Sequence, residues 1–268
     1  MLQFVIAVSK SSDILPSDET TTSPLNARSL ALSAMLGTHP PTLSARALVD
    51  LAEVFGINGG TMRTALSRLV NAGDVVATGG RYTLAPRLLE RQAAQDVGRA
   101  SATSDWAGSW HTAIATADHR DLADRRLLRT VMANARFGEL RPSVWLRPAN
   151  LPAPALGDDW LVTTGPVAGQ DQSTLATRLW ELEGLATTAH ALIARIDTAE
   201  IDLDPDDSAL LPPAFSLSAE IVRFLRADPL LPPTLTPPDW PVDELRHRYD
   251  GFERSVQAML RPILTDTR

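Results

Sequence analysis

The stretch "FGINGGTMRTALSRLVNAGDVVATGGRYTL", residues 55–84, decides the fold. Asn58 is a good helix N-cap. At roughly 100° per residue, Met62, Ala65, Leu66 and Leu69 gather on one side of the helix that follows. Gly60, Arg63, Thr64, Ser67 and Asn71 gather on the other, with Arg68 on the flank. That outward side is small, polar and cationic and has no acid, although acids are common on ordinary solvent faces. Val75–Thr78 and Arg81–Leu84 then flank Gly79-Gly80. A two-residue glycine turn suits a type I′ hairpin, which needs positive φ at both central residues. That register sets Ala77 against Tyr82 and Val75 against Leu84, with Arg81 beside the tip.

Upstream, Ser23-Pro24 is a plausible helix start, a hydroxyl cap followed by proline at the first helical position. That helix runs through "LNARSLALSAML" to Gly37, and "HPPT" breaks the chain. Thr42 or Ser44 then caps a second helix whose Leu48, Leu51, Ala52 and Phe55 form one buried stripe, ended by Gly56. Helix, helix, tight turn, helix and hairpin spell a winged helix-turn-helix. A third helix with no carboxylate and arginine tips meets the needs of the DNA major groove, and Arg81 on the wing can reach a phosphate or the minor groove. The candidate DNA-contacting residues are Gly59, Gly60, Thr61, Arg63, Thr64, Ser67, Arg68, Arg81 and Tyr82. The competing reading of the same pattern is a packing or protein-binding domain. Glycine in a helix interior costs about 1 kcal/mol against alanine, less at an end. The pair Gly59-Gly60 therefore needs a reason, either tight packing of the first turn or close approach of its amides to a phosphate.

The formal net charge of the 268 residues is −7, which at first argues against a polyanionic partner. The charge is unevenly placed. Residues 24–92 hold seven arginines (28, 46, 63, 68, 81, 87, 91) against four acids (50, 53, 74, 90), a net of +3. Charge farther away than a Debye length is largely screened, so the acidic total belongs to the rest of the chain. The absence of cysteine excludes disulfides, thiol catalysis and cysteine metal sites, and the five histidines (39, 111, 119, 190, 247) show no ligand spacing. No apolar run approaches the ~20 residues of a membrane span, which points to a cytoplasmic protein with no membrane partner.

The expected organisation is a flexible extension over 1–22, the winged helix over 23–92, and a small, polar linker over 93–109. An α+β domain over 110–172 and a helical C-terminal domain over 173–268 follow. In the middle domain Trp110–Ala117 reads as a strand, 120–135 as a helix with Leu127, Leu128 and Val131 on one face, "FGELRPSVWLRP" as extended chain and "DWLVTTGPVAG" as a further strand. That order, strand, helix, strand pair, strand, suggests a ferredoxin-like unit. Beyond it, Leu179, Leu182, Leu185 and Ala186 suggest one helix from Leu175 to about Ile196. "LDPDDSALLPP" reads as a loop, Ala219–Arg226 as a short helix, "DPLLPPTLTPPDWP" as extended and 242–263 as a final helix.

Three stretches resemble the PaaX-like transcriptional repressors, the family named for the repressor of phenylacetic acid degradation. They are the opening stretch, "FGELRPSVWLRP", and "FSLSAEIVRFLRADPLLPPTLTPPDWP". The resemblance implies an α+β architecture: an N-terminal winged helix, a middle domain like the small CRISPR-associated ferredoxin-like nuclease, and a helical C-terminal domain. It also implies a dimeric repressor bound to inverted repeats in double-stranded DNA at catabolic promoters. An aryl- or acyl-CoA thioester, phenylacetyl-CoA in the best-known case, would release it, with no cofactor. On the family's pattern Arg63, Thr64, Ser67 and Arg68 fall on the reading helix and Arg81 and Tyr82 on the wing. Gly59-Gly60 stand where members usually carry larger polar residues.

A CoA thioester carries several negative charges and an acyl tail, so arginines beside aromatic residues are the features to seek. Arg223, Arg226 and Trp240 near the C-terminus, and Arg141 and Trp145 in the middle, fit that description. The same tryptophans would serve as core anchors, and the same arginines as partners for Asp228 or Asp239. A protein that acts by binding, not catalysis, is the expectation. The enzymatic alternative is a metal-dependent nuclease in which Asp118, at the end of the first middle-domain strand, pairs across a dimer to hold Mg²⁺. Against it, a lone aspartate after a strand is ordinarily a cap or turn residue. A non-DNA interaction module is the third reading.

Overall fold

The computed structural model describes residues 25–89, 92, 105–116, 122–154, 156–202, 204 and 207–265. The expected extension, the Ser23-Pro24 helix start, most of the linker and Asp118 lie outside the described residues. The chain forms two compact units, neither a single continuous stretch. One comprises the described parts of Pro24–Ser101, Gly184–Arg226 and Trp240–Arg268, the other those of Ala102–Glu183 and Ala227–Asp239.

The first unit opens with α1 (Ala27–Leu36), capped by Asn26, whose Oδ1 accepts from the Ser29 amide at 2.9 Å. Then come β1 (Thr42–Ser44), α2 (Ala45–Val54), α3 (Gly59–Asn71), β2 (Val75–Thr78) and β3 (Arg81–Leu84). Of the two caps expected for α2, Ser44 is the one used, its Oγ accepting from the Ala47 amide at 3.1 Å. Asn58 caps α3. The hairpin has the expected register, Ala77 opposite Tyr82 and Val75 opposite Leu84, and Gly79 and Gly80 sit at φ +58° and +76°. β1 was not expected. At three residues it is too short to show a period, yet it completes the sheet in the order β1-β3-β2.

The same unit takes in α6 (Leu182–Asp202) from Gly184 on, α7 (Leu211–Ala227) up to Arg226, and α8 (Val242–Leu264). Leu48, Leu51, Met62, Leu66 and Leu69 of the winged helix share one buried cluster with Ile196, Ile221, Leu245 and Phe252. Phe55 meets Phe215 edge to face at 5.4 Å. Gln257 Nε2 on α8 donates to the Gly37 carbonyl at 3.1 Å. The C-terminal helices are thus part of the winged helix's own core.

The second unit contains β4 (Ser109–Ala115), α4 (Leu122–Asn134), β5 (Gly138–Arg141), β6 (Val144–Pro148), β7 (Trp160–Pro166) and α5 (Gln172–Leu179). Its sheet is antiparallel throughout, in the order β5-β6-β4-β7. That is the strand order expected of a ferredoxin-like unit. The second crossover differs, because the described residues between β6 and β7 form no helix. Along α4 the inward residues are Leu128 and Met132, while Leu127 is exposed. Trp110 is fully buried, stacked with Trp180 at 6.5 Å and edge-on to Trp106 at 5.9 Å.

Two further elements differ from expectation. The helix expected from Leu175 to Ile196 is two helices, because Trp180 takes an extended conformation and separates α5 from α6. The short helix expected over Ala219–Arg226 runs from Leu211, with Pro212 and Pro213 in its first turn, where a missing N–H costs nothing. No helix among the described residues is long and apolar enough to cross a membrane.

Candidate nucleic-acid interface

Two glycine turns set the direction of α3. At its entrance the Gly56 amide donates to the Glu53 carbonyl and the Ile57 amide to Ala52. At its exit the Gly73 amide donates to Val70 and the Asp74 amide to Leu69. Both are Schellman closures, and both glycines sit at φ +68°, the left-handed conformation that the closure requires. The first closure ends α2 and the second ends α3, with Asn58 capping the start of α3. Met62, Leu66 and Leu69 are buried, and Gly60, Thr61, Arg63, Thr64, Ser67, Arg68 and Asn71 are exposed. The Thr64 hydroxyl donates to the Gly60 carbonyl at 2.9 Å and Ser67 to Arg63 at 3.1 Å. Each hydroxyl oxygen still has lone pairs to accept with.

The two glycines of the first turn behave differently. Gly59 is buried, and a β-carbon there would come within 2.9 Å of Val49 Cγ1. Packing against α2 is the physical reason for glycine at this position, and it points Gly59 inward, away from any groove. Gly60 is exposed, and its amide is taken by the cap, donating to Asn58 Oδ1 at 2.7 Å.

The structure also sorts the arginines. Arg28 donates to Asp74 at 2.9 Å and Arg87 donates to the other oxygen of the same buried carboxylate. Arg46 lies 3.6 Å from Asp50. These three serve internal partners. Arg63 and Arg68 make no ion pair or side-chain hydrogen bond with a described residue. Arg81 reaches back from the wing to the Thr42 carbonyl at 3.4 Å, and the Gly80 carbonyl at the wing tip accepts from the Ala45 amide at 3.0 Å. The wing is thus tied to the start of α2. Tyr82 is half-buried against the core. The role of Asp74 was not legible in the sequence, since its arginines lie 46 residues before it and 13 after it.

Of the five effector candidates, Arg141 and Trp145 belong to one unit and Arg223, Arg226 and Trp240 to the other. Trp145 is buried in the core between the sheet and α4, with no hydrogen-bond partner for its Nε1 among the described residues. Arg141 is exposed at the end of β5. In the other unit, Arg223 and Arg226 lie near each other on α7. Burial pushes the Arg226 guanidinium below its ordinary pKa, and Arg223 adds to the effect. Trp240 is half-buried against that unit's core.

Comparison with known proteins agrees with this architecture. Residues 26–88 match the family model described as PaaX-like protein, and residues 103–156 match that of the PaaX protein central Cas2-like domain. Among solved structures, the chain is similar to the uncharacterized protein Rv0674 from Mycobacterium tuberculosis. The two are 37% identical, with a TM-score of 0.70, over 90% of this chain and 100% of that one. No curated protein matches the chain. With both family domains in the family's order, and a relative of that identity covered along its whole length, the chain belongs to the PaaX-like family of transcriptional regulators.

Proposed function

We propose that this protein is a DNA-binding transcriptional repressor that acts as a homodimer on an inverted-repeat operator. The observation that carries the reading is the outward face of α3, with no acid on it and with Arg63 and Arg68 engaged by no described residue, while Arg28, Arg46 and Arg87 have internal partners. A guanidinium with no protein partner is available to a phosphate or a guanine edge. In a dimer, two such helices would enter successive major grooves about 34 Å apart. The test is binding to the protein's own upstream DNA against random DNA at physiological salt. Tighter binding to the upstream DNA is expected, and equal affinity removes the reading.

Release by an aryl- or acyl-CoA thioester, with phenylacetyl-CoA as the type, is the second half of the proposal. Its support is the family relation together with Arg223 and Arg226 side by side on α7. A thermal-shift screen of CoA thioesters tests it, since a ligand that binds the folded state raises the melting temperature. If no thioester stabilises the protein or releases DNA, this half falls. The protein is proposed to work by binding alone. Cleavage of nucleic acid with Mg²⁺ or Mn²⁺ that Asp118→Ala abolishes would overturn that.

A further inference from the structure

Charge on the second unit is segregated. α4 carries Arg125, Arg126 and Arg129, all exposed. At about 100° per residue, Arg125 and Arg126 fall within about 60° of Arg129 around the helix, and Asp124 lies about 140° away. Arg129 Nε donates to Glu139 Oε2 on β5 at 2.8 Å. α4 ends at Asn134 and β5 begins at Gly138, so this contact sets the strand running back alongside the helix. Arg141, two residues past Glu139, is carried about 7 Å further along. That brings it level with the turn of α4 that holds Arg125 and Arg126, about 4.5–6 Å beyond Arg129. Four guanidinium groups thus gather at one corner of the unit, with Glu139 among them. Arg125, Arg126 and Arg141 are exposed and make no ion pair or side-chain hydrogen bond with a described residue. Elsewhere the described surface of the same unit is acidic, with Asp158, Asp159, Asp171, Glu181 and Glu183 exposed against Arg178.

We propose that this arginine corner of α4 and β5 is a second DNA contact, held to the phosphate backbone of the duplex that α3 reads. The inference rests on the DNA-binding reading above and adds a surface from the other unit. Charge complementarity decides for this occupant. An acidic surface repels a polyanion, so a phosphate backbone meets this unit favourably only where its cations gather. Guanidinium groups with no protein partner offer paired N–H donors to phosphate oxygens. Exposure decides against a small anion. A ligand of CoA's size buries roughly 70–90% of its surface in a concave site, whereas these arginines stand open to solvent on a helix flank and a strand end. Contacts of this kind fix the protein's position on the duplex and carry no sequence information.

The test is DNA affinity of the full chain across a salt series, on its own upstream DNA and on random DNA. Each phosphate contact adds about 0.9 to the slope of log affinity against log salt. The triple variant Arg125→Ala, Arg126→Ala, Arg141→Ala is expected to lose about 2 to 3 of that slope on both DNAs. Its preference for the upstream DNA should be unchanged, and so should its melting temperature. The triple variant with lysine at the same three positions is expected to keep the slope, because a point charge suffices for a phosphate. Arg178→Ala, which removes an exposed charge elsewhere on the unit, is expected to keep it as well. An alanine triple with the wild-type slope, a lysine triple that behaves like the alanine one, or an equal loss per charge in Arg178→Ala overturns the inference. Loss of stabilisation by a CoA thioester in the alanine triple, with the wild-type slope, overturns it too, by giving the corner to the effector. Failure here leaves the α3 contact standing if the wild type still prefers its upstream DNA. A wild type with no such preference removes the α3 reading, while a slope lost by the alanine triple on random DNA still supports the corner.

Discussion

Gly59 lies so close to Val49 that a β-carbon on it would stand 2.9 Å from Val49 Cγ1. The first turn of α3 therefore rests directly on α2, and the angle of the exposed face follows from that contact. Gly59→Ala is expected to lower stability by about 1–3 kcal/mol, the usual cost of overpacking a tight contact. Gly60→Ala meets only Asn58 Oδ1, at 3.0 Å. It is expected to change stability by less than about 1 kcal/mol, since a first-turn glycine sits at a helix end. Urea unfolding of the two variants checks the difference, and equal losses would remove packing as the reason for Gly59.

Arg63→Ala is expected to leave the melting temperature unchanged, because the side chain has no described internal partner. It should weaken binding to the protein's own promoter more than to random DNA, by about 1–3 kcal/mol if it reads a base edge. Arg68→Ala, on the flank, should weaken both alike and reduce the salt dependence by about one phosphate contact. Fluorescence anisotropy across a salt series separates the two outcomes. Equal losses for Arg63→Ala on both DNAs would make it a phosphate contact only.

Asp74 is buried between Arg28 and Arg87, whose side chains are 41% and 38% exposed. Removing a buried partner is strongly destabilising, but the arginines' exposure discounts the effect, so Asp74→Ala should cost on the order of 2 kcal/mol. Arg28→Ala should cost less, because Arg87 remains. Denaturant midpoints of both variants give the comparison.

His111 is buried on β4, its Nδ1 2.8 Å from Thr164 Oγ1. Burial pushes its pKa below the ordinary 6.5, the Leu151 carbonyl opposes that, and Arg147 reinforces it. The unfolded chain thus takes up a proton at a higher pH than the folded one. The stability this gives is complete above about pH 6.5 and is lost as pH falls from there through the lower pKa of the folded ring. His111→Gln should flatten that slope. Urea midpoints at pH 7.5, 6.5 and 5.5 measure it.

Much of the winged helix was legible because its signals are local. Gly56 marks the end of α2, and Asn58 and Gly73 the ends of α3, within a few residues of the bonds they make, and Gly79-Gly80 sets the hairpin register by its own backbone conformation. The middle sheet was partly legible. The stretch "FGELRPSVWLRP" was legible as a strand pair, which β5 and β6 form, while the irregular register between Glu139 and Arg141 was not. The stripe through Leu179, Leu182 and Leu185 ran across a helix break at Trp180, since periodicity counts residues and does not see a bend that tertiary packing imposes.

The sequence by itself determined that α3 has a buried side and an acid-free cationic side, and that a two-residue turn follows it. Periodicity, caps and φ-permissive glycines act over a few residues and need no partner elsewhere. Tertiary structure decided which arginines are engaged, that Gly59 faces α2, that β1 anchors the wing, and that α8 belongs to the winged helix's core. Burial of apolar surface is non-directional, and an ion pair can close over 46 residues as readily as over four. A stripe or a charge in the sequence therefore says that a partner exists, while only the folded chain says which one.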